Sequence, residues 1–183
     1  MKGIVFAEFL EMVEEKYGWE MVDAIIEENK LSSEGAYTAV GTYNHEELVK
    51  MIASLSLKTG LPVAELWEIT GAHLFKQLWR QHQSLLGPIA GTFEFLESVD
   101  QHIHVQVRKL YADANLPRFF YERPNDDQLV MTYKSERPLA DLAFGMLVGC
   151  IHSFGESISI HREDIADKDG RSARFTITRH VIT

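Results

Sequence analysis

His102 and His104 stand two residues apart in QHIHV, and Tyr133, Ser135 and Arg137 alternate in MTYKSER. These residue types can do two kinds of chemistry. A neutral imidazole is a ligand for a transition metal. A phenol, a hydroxyl and a guanidinium at alternate positions of an extended strand point to one side. There Arg137 can hold an oxyanion bidentately while Tyr133 and Ser135 donate to its remaining oxygens. The triplet suits a ligand with two carboxylates or a phosphate, and the same pattern also fits a solvated strand face.

The elements that must position these groups follow from the pattern around them. In residues 91–111 the apolar side chains Leu96, Val99, Ile103, Val107 and Leu110 recur at helical spacing and predict one helix that packs this stripe inward. His104 falls on one margin of the stripe and His102 on the other, so helical geometry alone does not choose between them. After Pro117 the period changes to two. RFFYE and QLVMTYKSE read as a hairpin whose RPNDD loop is longer than two residues.

Upstream, residues 3–17 and 19–29 read as helices separated by Gly18, followed by a loop through LSSEGAYTAVGTY. Asn44 with Glu47 resembles a capping box opening a helix that ends near Gly60. Pro62 suits the first turn of the next helix. Trp67, Phe75 and Trp79 on that helix are read as core before they are read as walls of a binding site. Downstream, Pro138 opens a helix with Leu139, Leu142, Ala143, Met146, Leu147, Cys150 and Ile151 on one face. ESISIHRE, a DKDG turn and ARFTITRHV then form a second hairpin. The fold class is α+β: an N-terminal helical subdomain, then a four-stranded antiparallel sheet with helices.

At 183 residues the chain, 1–183, reads as a single domain. A net charge of −9 without a basic run argues against nucleic acid or anionic lipid as partner. Glu8, Glu11, Glu14 and Glu15 interrupt the apolar start, unlike a secretory signal. The longest apolar run, Leu142 to Ile151, is about half of the ~20 residues a bilayer span needs. A cytoplasmic protein is expected. One cysteine, Cys150, allows no internal disulfide and no C-x-x-C-H attachment motif. His102 with His104, or Cys150 with His152 and His161, match no standard zinc spacing. No Walker, G-x-S-x-G or H-E-x-x-H motif is present, so no enzyme activity is expected.

The Y-x-S-x-R triplet, a histidine thirteen residues before Pro117 on the preceding helix, and the opening MKGIVFAEF resemble the haem nitric oxide/oxygen binding (H-NOX) family. That sensor module is related to the haem domain of soluble guanylate cyclase, and the resemblance covers essentially the whole chain. It implies a haem between the helical subdomain and the sheet, with His104, not His102, as the axial iron ligand. It further implies that Tyr133, Ser135 and Arg137 hold the propionates and that Pro117 presses on the porphyrin. Without an attachment motif the group would be non-covalent haem b. Zinc-bearing members of the family exist, which keeps that ion in view.

The resemblance also aligns Val5, Phe9, Leu78, Leu142 and Met146 with the distal wall. Members that hold oxygen carry a tyrosine nine residues after the triplet's Tyr, and Leu142 stands there. None of these five side chains is a hydroxyl or N–H donor. The implied function is a ferrous haem sensor that binds nitric oxide and carbon monoxide but not O₂. With no effector domain in the chain, it would regulate in trans a histidine kinase or a cyclic-di-GMP enzyme, either a diguanylate cyclase or a phosphodiesterase. Two other readings stand beside it: a metal-dependent enzyme using His102 and His104, and a module binding a non-haem dianion at the triplet.

Overall fold

The computed structural model describes residues 1–165 and 170–180. In α1 (Gly3–Tyr17) the side chains of Phe6, Phe9, Met12 and Val13 recur at helical spacing and are fully buried. Gly18, at φ +86°, turns the chain into α2 (Trp19–Asn29). In α3 (His45–Thr59) the Asn44 side chain accepts from the Glu46 N–H at 3.1 Å, as a cap should. The other half of the expected capping box does not form. Glu47 turns into the 31–44 loop, where Ser32, the Ser33 hydroxyl (2.6 Å) and the Tyr37 hydroxyl (2.7 Å) all donate to it. A buried carboxylate takes several strong donors in preference to one backbone N–H. Pro62 sits at the N-cap of α4 (Val63–His82), one residue before the first turn.

A segment from Thr92 to Leu110 follows, and then β1 (Arg118–Asn125) and β2 (Gln128–Lys134). Asn125 pairs with Gln128, so only Asp126 and Asp127 form the loop, with a register shift after Glu122. This loop is shorter than the sequence pattern implied, because the strand continues through Arg123 and Pro124 at the sheet edge, where proline is tolerated. Helix α7 (Ala140–Phe154) starts two residues after Pro138. β3 (Ile158–Asp164) and β4 (Ser172–Arg179) complete an antiparallel sheet of order β1-β2-β4-β3. Asp167 to Asp169 of the DKDG turn, and Val181, lie outside the described residues. The fold is α+β as expected, and among the described residues no helix is long and apolar enough to cross a membrane.

Two cores result. One gathers α1, α2, α3, the start of α4 and Leu142, and Trp67 is buried in it. The other lies between the sheet, residues 93–96 and the later turns of α4 and α7. In it Phe75, Trp79, Phe95 and Phe154 pack as an aromatic group with centroids 4.9–6.1 Å apart, which bears out the core reading of Phe75 and Trp79. Helices α4 and α7 span both cores and touch backbone to backbone. A Cβ at Gly71 would collide with the Leu142 carbonyl, and one at Gly145 with the Glu68 carbonyl. Glycine is required there for close approach.

Candidate functional site

The segment expected as one helix over 91–111 is three pieces. In α5 (Thr92–Ser98) Phe93, Phe95 and Leu96 are buried against the second core. Next comes a wide turn, Val99–Ile103, in which the His104 N–H bonds to the Val99 carbonyl five residues back, as in a π-helix. The α-helix resumes as α6 (His104–Leu110). From Val99 to Leu110 no residue is buried. The stripe begins buried at Leu96, continues half-buried at Val99, Ile103 and Val107, and ends at Leu110, which is 77% exposed. The chain's own side chains therefore cover this apolar face only in part, with Val99 and Ile103 against the second core, and such a face invites a flat apolar partner.

His104 and His102 differ in surroundings. His102 is exposed, whereas the His104 side chain is 11% exposed. Burial pushes the His104 imidazole below its ordinary pKa, although Asp100 pulls the other way. The ring is therefore neutral at pH 7, as a metal ligand must be. Its Nδ1 lies 3.2 Å from Asp100 Oδ1. With Nδ1 donating to that carboxylate, Nε2 is the nitrogen left with a lone pair. The ring also lies beside the Pro117 backbone. Phe119 links it to the triplet: its centroid is 5.7 Å from His104 and 5.8 Å from Tyr133.

The triplet is not one strand face. β2 ends at Lys134, so only Tyr133 belongs to it. Ser135 remains tied to the sheet edge by its N–H to the Arg171 carbonyl (2.9 Å), and its hydroxyl accepts from the Arg137 N–H (3.1 Å). Such a side-chain turn replaces strand alternation. It nevertheless keeps the three groups together. Tyr133 is buried with its hydroxyl against Ser135 and the Leu139 backbone, and burial raises its pKa. Among the described residues the Arg137 guanidinium reaches only a carbonyl, that of Asn115, at 3.3 Å. Its charge is felt by the Met1 ammonium and by His45, each lowered first by burial and then by Arg137. The corner brings the Met1 ammonium and the Arg137 guanidinium near each other with hydroxyls beside them, which is the donor set that two carboxylates need.

On the other side, Val5, Phe9 and Leu142 pack in one cluster, Met146 packs against the second core, and Leu78 is half-buried in neither. Among the described residues no group of three His, Cys, Asp or Glu side chains is placed to hold a metal ion. Cys150 is buried while His152 and His161 are exposed, which separates the zinc candidates.

Sequence reasoning missed three features. Phe119 was legible only as a strand residue. Asp100 was legible in principle, four residues before His104 on a helix. The pair Glu8 and His73, 3.4 Å apart between α1 and α4, needed the helix packing to be known. Glu8 is 5% exposed and its pKa is raised by burial.

A family model described as Haem-NO-binding matches residues 2–162. The crystal structure of an Fe(II) unliganded H-NOX protein from K. algicida has a TM-score of 0.91 and 38% identity, covering 99% of this chain and 97% of that one. The solution structure of the IWP-051-bound H-NOX from Shewanella woodyi in the Fe(II)CO ligation state has a TM-score of 0.84 and 37% identity, covering 98% and 95%. The soluble guanylate cyclase gcy-35 of Caenorhabditis elegans is 26% identical over 141 residues. These are 75% of this chain, which spans 20% of the length of that relative.

Proposed function

The chain belongs to the haem-NO-binding (H-NOX) family, whose members are haem-based gas sensors, and from that membership we propose that it senses nitric oxide through a non-covalent haem b held by His104, Tyr133, Ser135 and Arg137. The observation that carries the reading is the neutral His104 ring, largely buried and anchored through Nδ1 to Asp100 beside an apolar face that the protein itself covers only in part. Bound there, haem would supply a ferrous iron able to take a diatomic gas.

His104 donates Nε2 to the iron. Tyr133, Ser135 and Arg137 donate to the propionates, and the Met1 ammonium adds to the positive corner. Pro117, beside the His104 ring, would lie against the porphyrin, and distortion of a porphyrin tunes affinity. Val5, Phe9, Leu78, Leu142 and Met146 form a distal wall with no side-chain donor. Oxygen needs such a donor far more than nitric oxide or carbon monoxide does, so the wall discriminates against it. His104 would tie the haem to the segment that carries it, so a gas taken up by the haem would act on that segment through His104. The altered surface acts on a histidine kinase or a cyclic-di-GMP cyclase or phosphodiesterase in the cytoplasm, with residues 1–183 working as one sensor domain.

Absorbance of the purified protein tests this. The expected result is an intense Soret band, a ferrous form that stays unligated in air-saturated buffer, and shifted spectra with nitric oxide and with carbon monoxide. A colourless protein would return the triplet to a non-haem dianion site, and a stable oxygen spectrum would require a distal donor.

A further inference from the structure

Asp100 lies beside the proposed ligand, and the wide turn around it explains why. Because the His104 N–H bonds to the Val99 carbonyl and not to that of Asp100, the turn holds five residues where an α-turn holds four. Within it the Asp100 carboxylate meets His104 Nδ1 at 3.2 Å. The Asp100 backbone lies near the Tyr121 hydroxyl, which is buried and has no hydrogen-bond partner among the described residues. Asp100 is only part-exposed, its side chain at 29%, so the hydrogen bond is shielded from competing water.

We propose that Asp100 is a positioning residue that accepts the His104 Nδ1 proton in a hydrogen bond, fixes Nε2 as the iron donor and sets how firmly His104 stays on the iron. The proposal rests on the haem reading given above. A carboxylate on the far nitrogen makes an imidazole more basic, and loss of such a partner typically costs about 10–100-fold in metal affinity. The proton stays on Nδ1 throughout, and no bond is made or broken at Asp100. A strong acceptor holds His104 in place until nitric oxide binds, so Asp100 governs how readily the gas detaches the ring.

The test uses the full chain purified with haem, as wild type and as Asp100→Asn, Asp100→Ala and Asp100→Glu. The iron–histidine stretch of the ferrous unligated protein is read by resonance Raman, and haem loss by transfer to apomyoglobin. Asp100→Ala should move the stretch to lower wavenumber and speed haem loss about tenfold or more. Asp100→Asn keeps the shape and an acceptor oxygen without the charge, and should shift the stretch less. Asp100→Glu, which restores the carboxylate, should recover most of the wild-type value. With nitric oxide, Asp100→Ala should show a larger fraction without His104 bound. An unmoved stretch in both Asp100→Asn and Asp100→Ala overturns the proposal while leaving the haem reading intact. A colourless wild-type protein overturns the haem reading instead.

Discussion

Glu47 offers a prediction whose size can be worked from the structure. It is 5% exposed, yet its carboxyl titrates at about 2: burial alone would raise it, but the hydroxyls of Ser32, Ser33 and Tyr37 and the Ser33 N–H more than offset that. The interval from an ordinary glutamate at 4.5 down to about 2 corresponds to at most about 3 kcal/mol of folding stability. The sign follows from linkage. A carboxyl lowered in the folded state stabilises fully above 4.5, and the contribution is lost as pH falls through about 2. Glu47→Gln removes the charge while keeping the shape. Urea unfolding should therefore place the variant up to about 3 kcal/mol below wild type at pH 7, and by less than half of that at pH 3. A difference equal at the two pH values would refute the argument, because it would assign the effect to shape. The consequence reaches the site. The loop that Glu47 holds presents the Tyr43 carbonyl to the Met1 ammonium at 2.7 Å, next to Arg137.

His104→Gly should lose haem or need added imidazole to keep it, while the exposed His102→Gly should leave the absorbance spectrum largely intact; the opposite pattern would reassign the ligand. Arg137→Ala removes a charge-assisted bond of about 1.5–3 kcal/mol and should speed haem loss roughly tenfold or more; unchanged loss would return the residue to the solvated surface. Leu142→Tyr places a hydroxyl on α7 where the wall has none and should lengthen the lifetime of an oxygen spectrum in air; no change would show that the hydroxyl does not reach the gas.

Much of this was legible in the sequence because it depended on local rules. Amphipathic spacing located α1 and α7, Gly18 and Gly60 marked helix ends, and period two located the sheet. What the sequence pattern missed came from choices between near-equal local options. The stripe from Leu96 to Leu110 has one apolar spacing whether or not a wide turn interrupts it, so the change at Val99 left no mark in the pattern. Glu47 had two possible sets of donors, and only the folded 31–44 loop supplied the better one. Alternation at Tyr133, Ser135 and Arg137 implied a strand, yet the Ser135 hydroxyl took the Arg137 N–H and ended it. The three residues stay close despite the change of backbone, since convergence of three side chains does not require one strand.

The arrangement of the two cores bears on how a change at His104 could travel. Tightly packed elements transmit strain, and those with little burial move first. Helices α4 and α7 are locked together at Gly71 and Gly145, and both cores are built on them, so neither is free to shift alone. From Val99 to Leu110 no residue is fully buried, and beyond the half-buried Val99, Ile103, His104 and Val107 the segment is held mainly at its ends. At one end α5 is set into the second core, with the Thr92 N–H bonded to Glu156 at 2.6 Å. Just beyond the other end, Asp113 takes Lys2 at 2.8 Å and Thr42 at 2.6 Å, and Lys2 lies over the Tyr111 ring. Lys2 caps α1, the helix that carries Val5 and Phe9. A movement of His104 is therefore blocked at the α5 end by a buried aromatic anchor and delivered at the α6 end to an exposed polar clasp. Surface ion pairs of that kind contribute only about 0–1 kcal/mol. Were His104 to move, the weaker end is the one expected to yield first, which would direct the displacement onto α1 and the N-terminal helices.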